Sequence, residues 1–270
     1  MRKKLIALDL DGTLLNQDSQ LSQKSKDILR KLDKEGHRVV ITTGRPYWMA
    51  IDYYKELGID QPMINFNGAL THHPGKNWAY EHRRDLEKDY LLDMVQNQED
   101  FQADFIASQY PKKFYIHRSE GFEPNPNFFG METLPEASRF SARKVTKGPC
   151  SVLLQTRTED RKQLAQEMME RYQNDLYVNT WGGPYPMLEC SAKGVTKAYA
   201  LNYLLDIWGM DKADLIAFGD ENNDQEMLQL AGLGYAMKNC NPDLLEYANR
   251  QTQFSNQEDG VARELEGLLL

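Results

Sequence analysis

Asp9 and Asp11, one residue apart in Asp9-Leu10-Asp11-Gly12-Thr13-Leu14, follow directly on the apolar run Leu5-Ile6-Ala7-Leu8. A run of that kind makes a strand buried on both faces. A carboxylate at its end is costly unless a metal ion or fixed hydrogen-bond donors offset the desolvation. Gly12 allows a sharp turn, so the Asp9 side chain and the Asp11 backbone can face one small volume. Alone, the pattern equally fits a polar exit from a strand. Other stretches enlarge it. Thr43-Gly44 follows the strand-like Arg38–Thr42, and Gly219-Asp220-Glu221-Asn222-Asn223-Asp224 follows Leu215-Ile216-Ala217-Phe218. Open parallel sheets bind ligands beyond the carboxyl ends of their strands, so these groups converge if their strands are neighbours. Carboxylates about 5 Å apart repel by ~3 kcal/mol per pair at an effective dielectric of about 20, and such a cluster calls for a cation. All-oxygen donors without Cys or His favour Mg²⁺, which keeps waters and accepts phosphate oxygens. Thr43 and the Gly44 N–H suit a phosphate at the start of a helix. A lysine should complete that site. Of the two in Ser191-Ala-Lys193-Gly-Val-Thr-Lys197, Lys197 opens a helix, where an anion binds well, while Lys193 reads as a surface residue.

The elements that must hold these groups come in two textures. From the start to about residue 82, and again from 187 to 270, short apolar strands alternate with amphipathic helices. Ser22–Glu35, Tyr47–Leu57 and Val195–Trp208 read as helices, and Met63–Phe66 as a further strand running into the turn pair Asn67-Gly68. Strand, helix, strand within ~40 residues indicates a parallel sheet. Between 83 and 186 the chain carries short aromatic strands and two helices, which indicates an α+β module with a largely antiparallel sheet. The far boundary is placed before Met187-Leu188-Glu189-Cys190, read as the return to the core. His72-His73 is read as a solvated loop, since adjacent side chains rarely point the same way.

With 41% hydrophobic and 27% charged residues in 270, the chain has the composition of a soluble globular protein of one large or two moderate domains. Its formal net charge of −8 argues against a general nucleic-acid or anionic-membrane surface, so an anionic substrate needs a local site. Three widely spaced cysteines, Cys150, Cys190 and Cys240, suit free thiols in a reducing compartment. The opening Met1–Leu8 imitates a signal start, but Asp9 and Asp11 cut its apolar region short. A cytoplasmic location is the expectation.

The ordered set Asp9-Leu-Asp11-Gly-Thr-Leu, Thr43-Gly44-Arg45, Gly194-Val-Thr-Lys197 and Gly219-Asp220-xx-Asn223-Asp224 resembles the haloacid-dehalogenase (HAD) superfamily. An insert between the second and third motifs makes it similar to the Cof-type, class IIB branch. Asn67-Gly68-Ala69, Ala236–Asn239 and Asp259–Ala262 extend the resemblance across the core. Lys238-Asn239-Cys240 departs from the family's usual Gly-Asn-Ala and is expected to leave the catalytic motifs untouched. The resemblance implies an α/β fold: a Rossmann-like parallel-sheet core of residues 1–82 and 187–270, with an inserted α+β (C2-type) cap of residues 83–186. It implies Asp9 as nucleophile, forming an aspartyl-phosphate, and Asp11 as acid and then base. Thr43, Gly44 and Lys197 would hold the phosphoryl oxygens, helped by Asn223. Mg²⁺ would be bound by Asp9, the Asp11 carbonyl and Asp220, with Asp224 in support. Arg45 is expected to tie core to cap, and Glu221 and Asn222 are either spacers or ligands.

The reading is a Mg²⁺-dependent phosphatase of small phosphorylated metabolites, sugar phosphates or phosphorylated cofactors. No nucleic-acid or membrane partner is expected, and the protein should be a monomer or weak homodimer. A phosphomutase using the same aspartyl-phosphate and a non-catalytic regulator that binds phosphate or metal are the rivals. Retention of the phosphoryl group on product marks the first, and absence of turnover the second. Phe114, Phe128, Trp181 and Tyr185 are either lining for the leaving group or core of the cap.

Overall fold

The computed structural model describes residues 2–181 and 185–270. β1 (Leu5–Leu8), α1 (Gln23–Lys34), β2 (Arg38–Ile41), α2 (Tyr47–Leu57), β3 (Met63–Asn65) and β4 (Leu70–His72) come first. Next are β5 (His82–Arg83), α3 (Lys88–Gln96), β6 (Ala103–Tyr110), β7 (Lys113–Arg118), β8 (Ser151–Thr156), α4 (Arg161–Arg171), β9 (Leu176–Thr180) and β10 (Met187–Ala192). Then follow α5 (Lys197–Trp208), β11 (Leu215–Gly219), α6 (Gln225–Leu230), β12 (Leu233–Ala236), β13 (Arg250–Gln251) and α7 (Gly260–Leu269). The chain divides into two units. One takes in the chain up to Arg45, Ala50–His82 and Thr196–Leu270, the other Pro46–Met49 and Arg83–Val195.

The first unit is built on a parallel sheet in the order β13-β12-β11-β1-β2. β1 lies inside it, between β11 and β2, and Leu5, Ile6, Ala7 and Leu8 are all fully buried. Alternate residues serve the two faces. Leu5 and Ala7 pack with Leu201, Leu204 and Leu205 of α5 and with Met227 and Leu228 of α6, and Ile6 and Leu8 point the other way. Each fully buried Leu or Ile stabilises the fold by ~1.5–3 kcal/mol, enough together to hold a costly carboxylate at the strand's end. Leu8 stands level with Ile41 on one side and Phe218 on the other. The residues leaving β1, β2 and β11 therefore emerge side by side. The Ser22 hydroxyl caps α1 by accepting the Ser25 N–H at 3.0 Å, and Leu29 and Leu32 form its buried face.

His72 and His73 lie in no solvated loop. β4 pairs antiparallel with β3, Met63 opposite His72, so His72 closes a strand and His73 follows it directly. His72 Nε2 is 2.9 Å from Asn65 Oδ1, and His73 Nε2 is 3.3 Å from an Asp60 carboxylate oxygen. Both rings are buried.

The second unit is an antiparallel sheet in the order β7-β6-β8-β10-β9. Leu91 and Met94 of α3 and Leu164 and Met168 of α4 cover one face, against Ile106, Val152, Leu154 and Leu188. The other face carries Phe105, Phe114, Phe129 and Met187, with Trp48 against them. The boundary placed before Met187 falls too early. β10 hydrogen-bonds β8 and β9, so this unit runs to Val195. A short apolar run fits a parallel core strand or a central antiparallel strand alike, and only its pairing decides. Pro46–Met49 also joins this unit, with Trp48 Nε1–H donating to the Phe129 carbonyl at 3.0 Å. Phe114 is buried and stacked on Phe129, a core residue. Tyr185 is exposed, and the Phe128 ring makes T-shaped contacts with both Tyr185 and Trp181.

Candidate active site

Asp9 leaves β1 with its N–H on the Phe218 carbonyl, so the neighbouring strand fixes where its side chain starts. Asp220 stands just beyond β11, and Asp224 four residues on, and all three carboxylates are buried. One oxygen from each lies within 4.8 Å of the others. Lys197, the first residue of α5, reaches into this group, with its Nζ 2.6 Å from Asp9 Oδ1 and 2.6 Å from Asp224 Oδ1. Thr196 caps that helix by accepting the Tyr199 N–H, which fixes the direction from which Lys197 enters. The second Asp224 oxygen accepts the N–H groups of Asp220 at 2.9 Å and Glu221 at 3.2 Å. Asp224 is thus a brace: it holds Lys197 with one oxygen and the Asp220 loop with the other.

Burial outweighs every other influence on Asp9 and Asp220. It pushes Asp9 up to about 7, Lys197 opposing and Asp224 adding to the rise. It pushes Asp220 up to about 8, with Asp9 and Asp224 adding to the rise. Burial would lower the Lys197 ammonium, but Asp224 and Asp9 outweigh it and hold it above the usual lysine range. The site therefore keeps its lysine charged and holds more carboxylate than one ammonium can balance. This is the environment of a cation site, and the hard, all-oxygen donors fit Mg²⁺.

The phosphate candidates lie nearby in the chain's fold. Thr43 is buried beyond β2, its N–H on the Ile64 carbonyl and its Oγ1 accepting the Arg45 N–H. Asn223 is exposed and donates through Nδ2 to Asn67 Oδ1 at 2.9 Å. Asp11 is more than half exposed and gripped by the Arg45 fork, with Nε 2.7 Å from Oδ2 and Nη2 2.5 Å from Oδ1. Arg45 also lies over the Tyr53 ring. The expected tie to the other unit therefore acquires a partner inside the first one, the other aspartate of the opening motif. Lys193 is exposed, as expected of a surface lysine.

A family model described as haloacid dehalogenase-like hydrolase matches residues 6–265. The chain belongs to that family. Among its relatives is the 5-amino-6-(5-phospho-D-ribitylamino)uracil phosphatase YitU of Bacillus subtilis (strain 168), 33% identical over 259 residues, covering 96% of this chain and 95% of the relative. YwtE of the same organism, named for the same activity, is 29% identical over 290 residues, covering 98% of each. A crystal structure of a haloacid dehalogenase-like hydrolase from Bacteroides thetaiotaomicron superposes with a TM-score of 0.77 at 25% identity, covering 99% of this chain and 100% of that one. The α/β fold and the assignment as a hydrolase of the phosphatase class follow. Among the described residues no helix is long and apolar enough to cross a membrane.

Inside this family framework, some site residues escape the sequence reading. Thr13 Oγ1 donates to Asp220 Oδ1 at 2.8 Å, orienting it from the opening motif. Its place in Asp-Gly-Thr was the available signal. Asn239 Nδ2 donates to the Gly12 carbonyl at 2.7 Å and its Oδ1 accepts the Asn256 N–H. Asn239, the residue of Lys238-Asn239-Cys240 that keeps the family's usual Gly-Asn-Ala, thus braces the loop that follows Asp11.

The raised carboxyls set a pH dependence. Above the ordinary value of 3.8 the unfolded chain has lost these protons, while native Asp9 and Asp220 keep them to about 7 and about 8. Stability is therefore greatest at low pH within this window and is lost as pH rises through the folded values. In chelator, the melting temperature should fall between about pH 4 and about pH 8, with a shallower fall in Asp220→Asn. A thermal scan across pH in which the two proteins fall equally would sink the assignment to these groups.

Proposed function

We propose that the protein is a Mg²⁺-dependent phosphatase that transfers the phosphoryl group of a small metabolite to Asp9 and then to water. The observation that carries this is the buried group of Asp9 and Asp220, at the ends of adjacent strands, with Asp224 and Lys197. Asp9 attacks phosphorus as the bond to the leaving oxygen breaks, and Asp11 gives that oxygen a proton. Asp11 then takes a proton from water, which attacks phosphorus and releases Asp9 and inorganic phosphate. Lys197 neutralises charge, and Thr43, the Gly44 N–H and Asn223 bind phosphoryl oxygens. Asp9, Asp220 and the Asp11 carbonyl would hold Mg²⁺, with Asp224 bracing Asp220 and Lys197. When bound, the ion supplies positive charge against the charge of the transferring phosphoryl group.

For substrate, the names of YitU and YwtE support a ribityl phosphate carrying a heteroaromatic ring. The test is phosphate release from a panel holding 5-amino-6-(5-phospho-D-ribitylamino)uracil, flavin mononucleotide, pyridoxal phosphate and hexose phosphates. Mg²⁺-dependent release is expected, with the ribityl compound preferred. A phosphoryl group that stays on an isomerised product would overturn hydrolysis. The second unit is assigned the choice of leaving group. Trp181→Ala should reorder the panel while sparing a small aryl phosphate, and equal slowing of every substrate would assign Trp181 to folding alone.

A further inference from the structure

Three segments that carry the phosphate candidates meet at a turn that is not one of them, Phe66-Asn67-Gly68. Its backbone is unusual. Phe66 and Asn67 both have left-handed φ, 52° and 53°, and Gly68 follows at 108°. Asn tolerates that region, whereas an aromatic residue rarely enters it. Such strain persists only where the surroundings over-determine it. Here they do. The Phe66 ring is buried, and the Phe66 N–H and Asn65 Nδ2 both donate to the Arg45 carbonyl. The Asn67 N–H donates to the Thr43 carbonyl at 3.1 Å. A Cβ on Gly68 would lie 2.2 Å from the Thr196 carbonyl oxygen, so the turn also abuts the cap that precedes Lys197.

The Asn67 side chain completes the junction. A Cβ on Gly44 would lie 2.9 Å from Asn67 Oδ1 and 3.2 Å from its Nδ2, so the amide lies alongside Gly44. The same Oδ1 accepts from Asn223 Nδ2. Resting on the phosphatase reading, we propose that Asn67 is a positioning residue: its amide fixes the exposed Asn223 amide at the phosphoryl site, beside Gly44. One N–H of the Asn223 amide is used on Asn67, and the other is thereby aimed in a set direction. An exposed Asn otherwise samples several rotamers, and fixing it beforehand removes that cost from binding.

A simpler role for Asn67 is to supply the left-handed turn, and Asn67→Gly separates the two. Glycine adopts this φ freely but has no amide. The readout is competitive inhibition by inorganic phosphate, against a small aryl phosphate, in wild type, Asn67→Gly, Asn223→Ala and the double variant, with melting temperatures alongside. Each single change should weaken phosphate inhibition about tenfold, the effect of one lost hydrogen bond to an anion. The double variant should be no weaker than the worse single one, because both remove the same contact. Wild-type inhibition in Asn67→Gly, with or without a fall in melting temperature, would overturn the proposal. So would losses that multiply in the double variant, since Asn67 would then act independently of Asn223. A wild type that neither turns over nor binds phosphate by calorimetry would overturn the phosphatase reading itself, whereas an active wild type beside an unaffected Asn67→Gly overturns this inference alone.

Discussion

Asp9→Ala is expected to leave no turnover and no covalent phosphoryl-enzyme, whereas Asp11→Asn should retain the second while losing most of the first. Asp9 is the buried carboxylate pinned by Lys197, so its removal deletes the proposed nucleophile and leaves the lysine on Asp224. Folding should survive, because a carboxyl whose charged form is disfavoured by burial contributes little that is missed. Asp11 differs on each count. It is exposed and held by Arg45, and the Asn amide keeps an oxygen that can still accept from the guanidinium. Its loss removes proton transfer, typically ~10²–10⁴-fold in rate. With an activated leaving group Asp9 can still be phosphorylated, after which no base is present to activate water and the enzyme stalls. Mass spectrometry of quenched Asp11→Asn enzyme reads this directly. A phosphoryl group found on any other residue would falsify the assignment of Asp9.

The second large effect concerns the ion. Chelation should abolish turnover, and Ca²⁺ should restore it poorly because it prefers a larger, looser shell. The same ion should register in stability. Binding only to the folded chain at a hundredfold excess over its dissociation constant contributes about 2.7 kcal/mol. In a chain of this size that is a rise in melting temperature of roughly 5 °C. Asp220→Asn puts a neutral amide where burial already disfavours the carboxylate's charged form, so the metal-free variant should melt no lower than metal-free wild type. It should also gain much less from Mg²⁺. The scan is run at fixed ionic strength, so that screening is not taken for binding. An equal shift in both proteins would place the ion away from Asp220.

Much of this site was legible because its chemistry is written locally. Asp9, Lys197 and Asp220 each sit at the first or last residue of an element, or one residue beyond, and the register Leu5–Leu8 against Leu215–Phe218 makes neighbours of Asp9 and Asp220. The partners of the catalytic groups were harder to see. Nothing near Arg45 in sequence announces that it will grip Asp11, and the Thr13–Asp220 bond spans the whole insert. The misplaced boundary at Met187 has the same origin. Hydrophobicity says that a strand is buried, but not which strands bury it. The burial of His72 and His73 depends on partners distant in sequence, Met63 across the hairpin from His72 and Asp60 beside His73.

The glycines of the site carry a consequence for how such a protein can change. A Cβ on Gly12 would lie 2.0 Å from Asp220 Oδ2, and one on Gly219 would lie 2.4 Å from the carboxyl carbon of Asp224. These carboxylates occupy the room that any larger residue would need. A mutational library spread over the chain should therefore return both positions as glycine among active clones, since any other side chain displaces a catalytic or bracing oxygen. Heritable novelty has to enter elsewhere, at positions such as Tyr185, where a side chain already stands in solvent. The chemistry is inherited as a block, and innovation is confined to residues that the block does not touch.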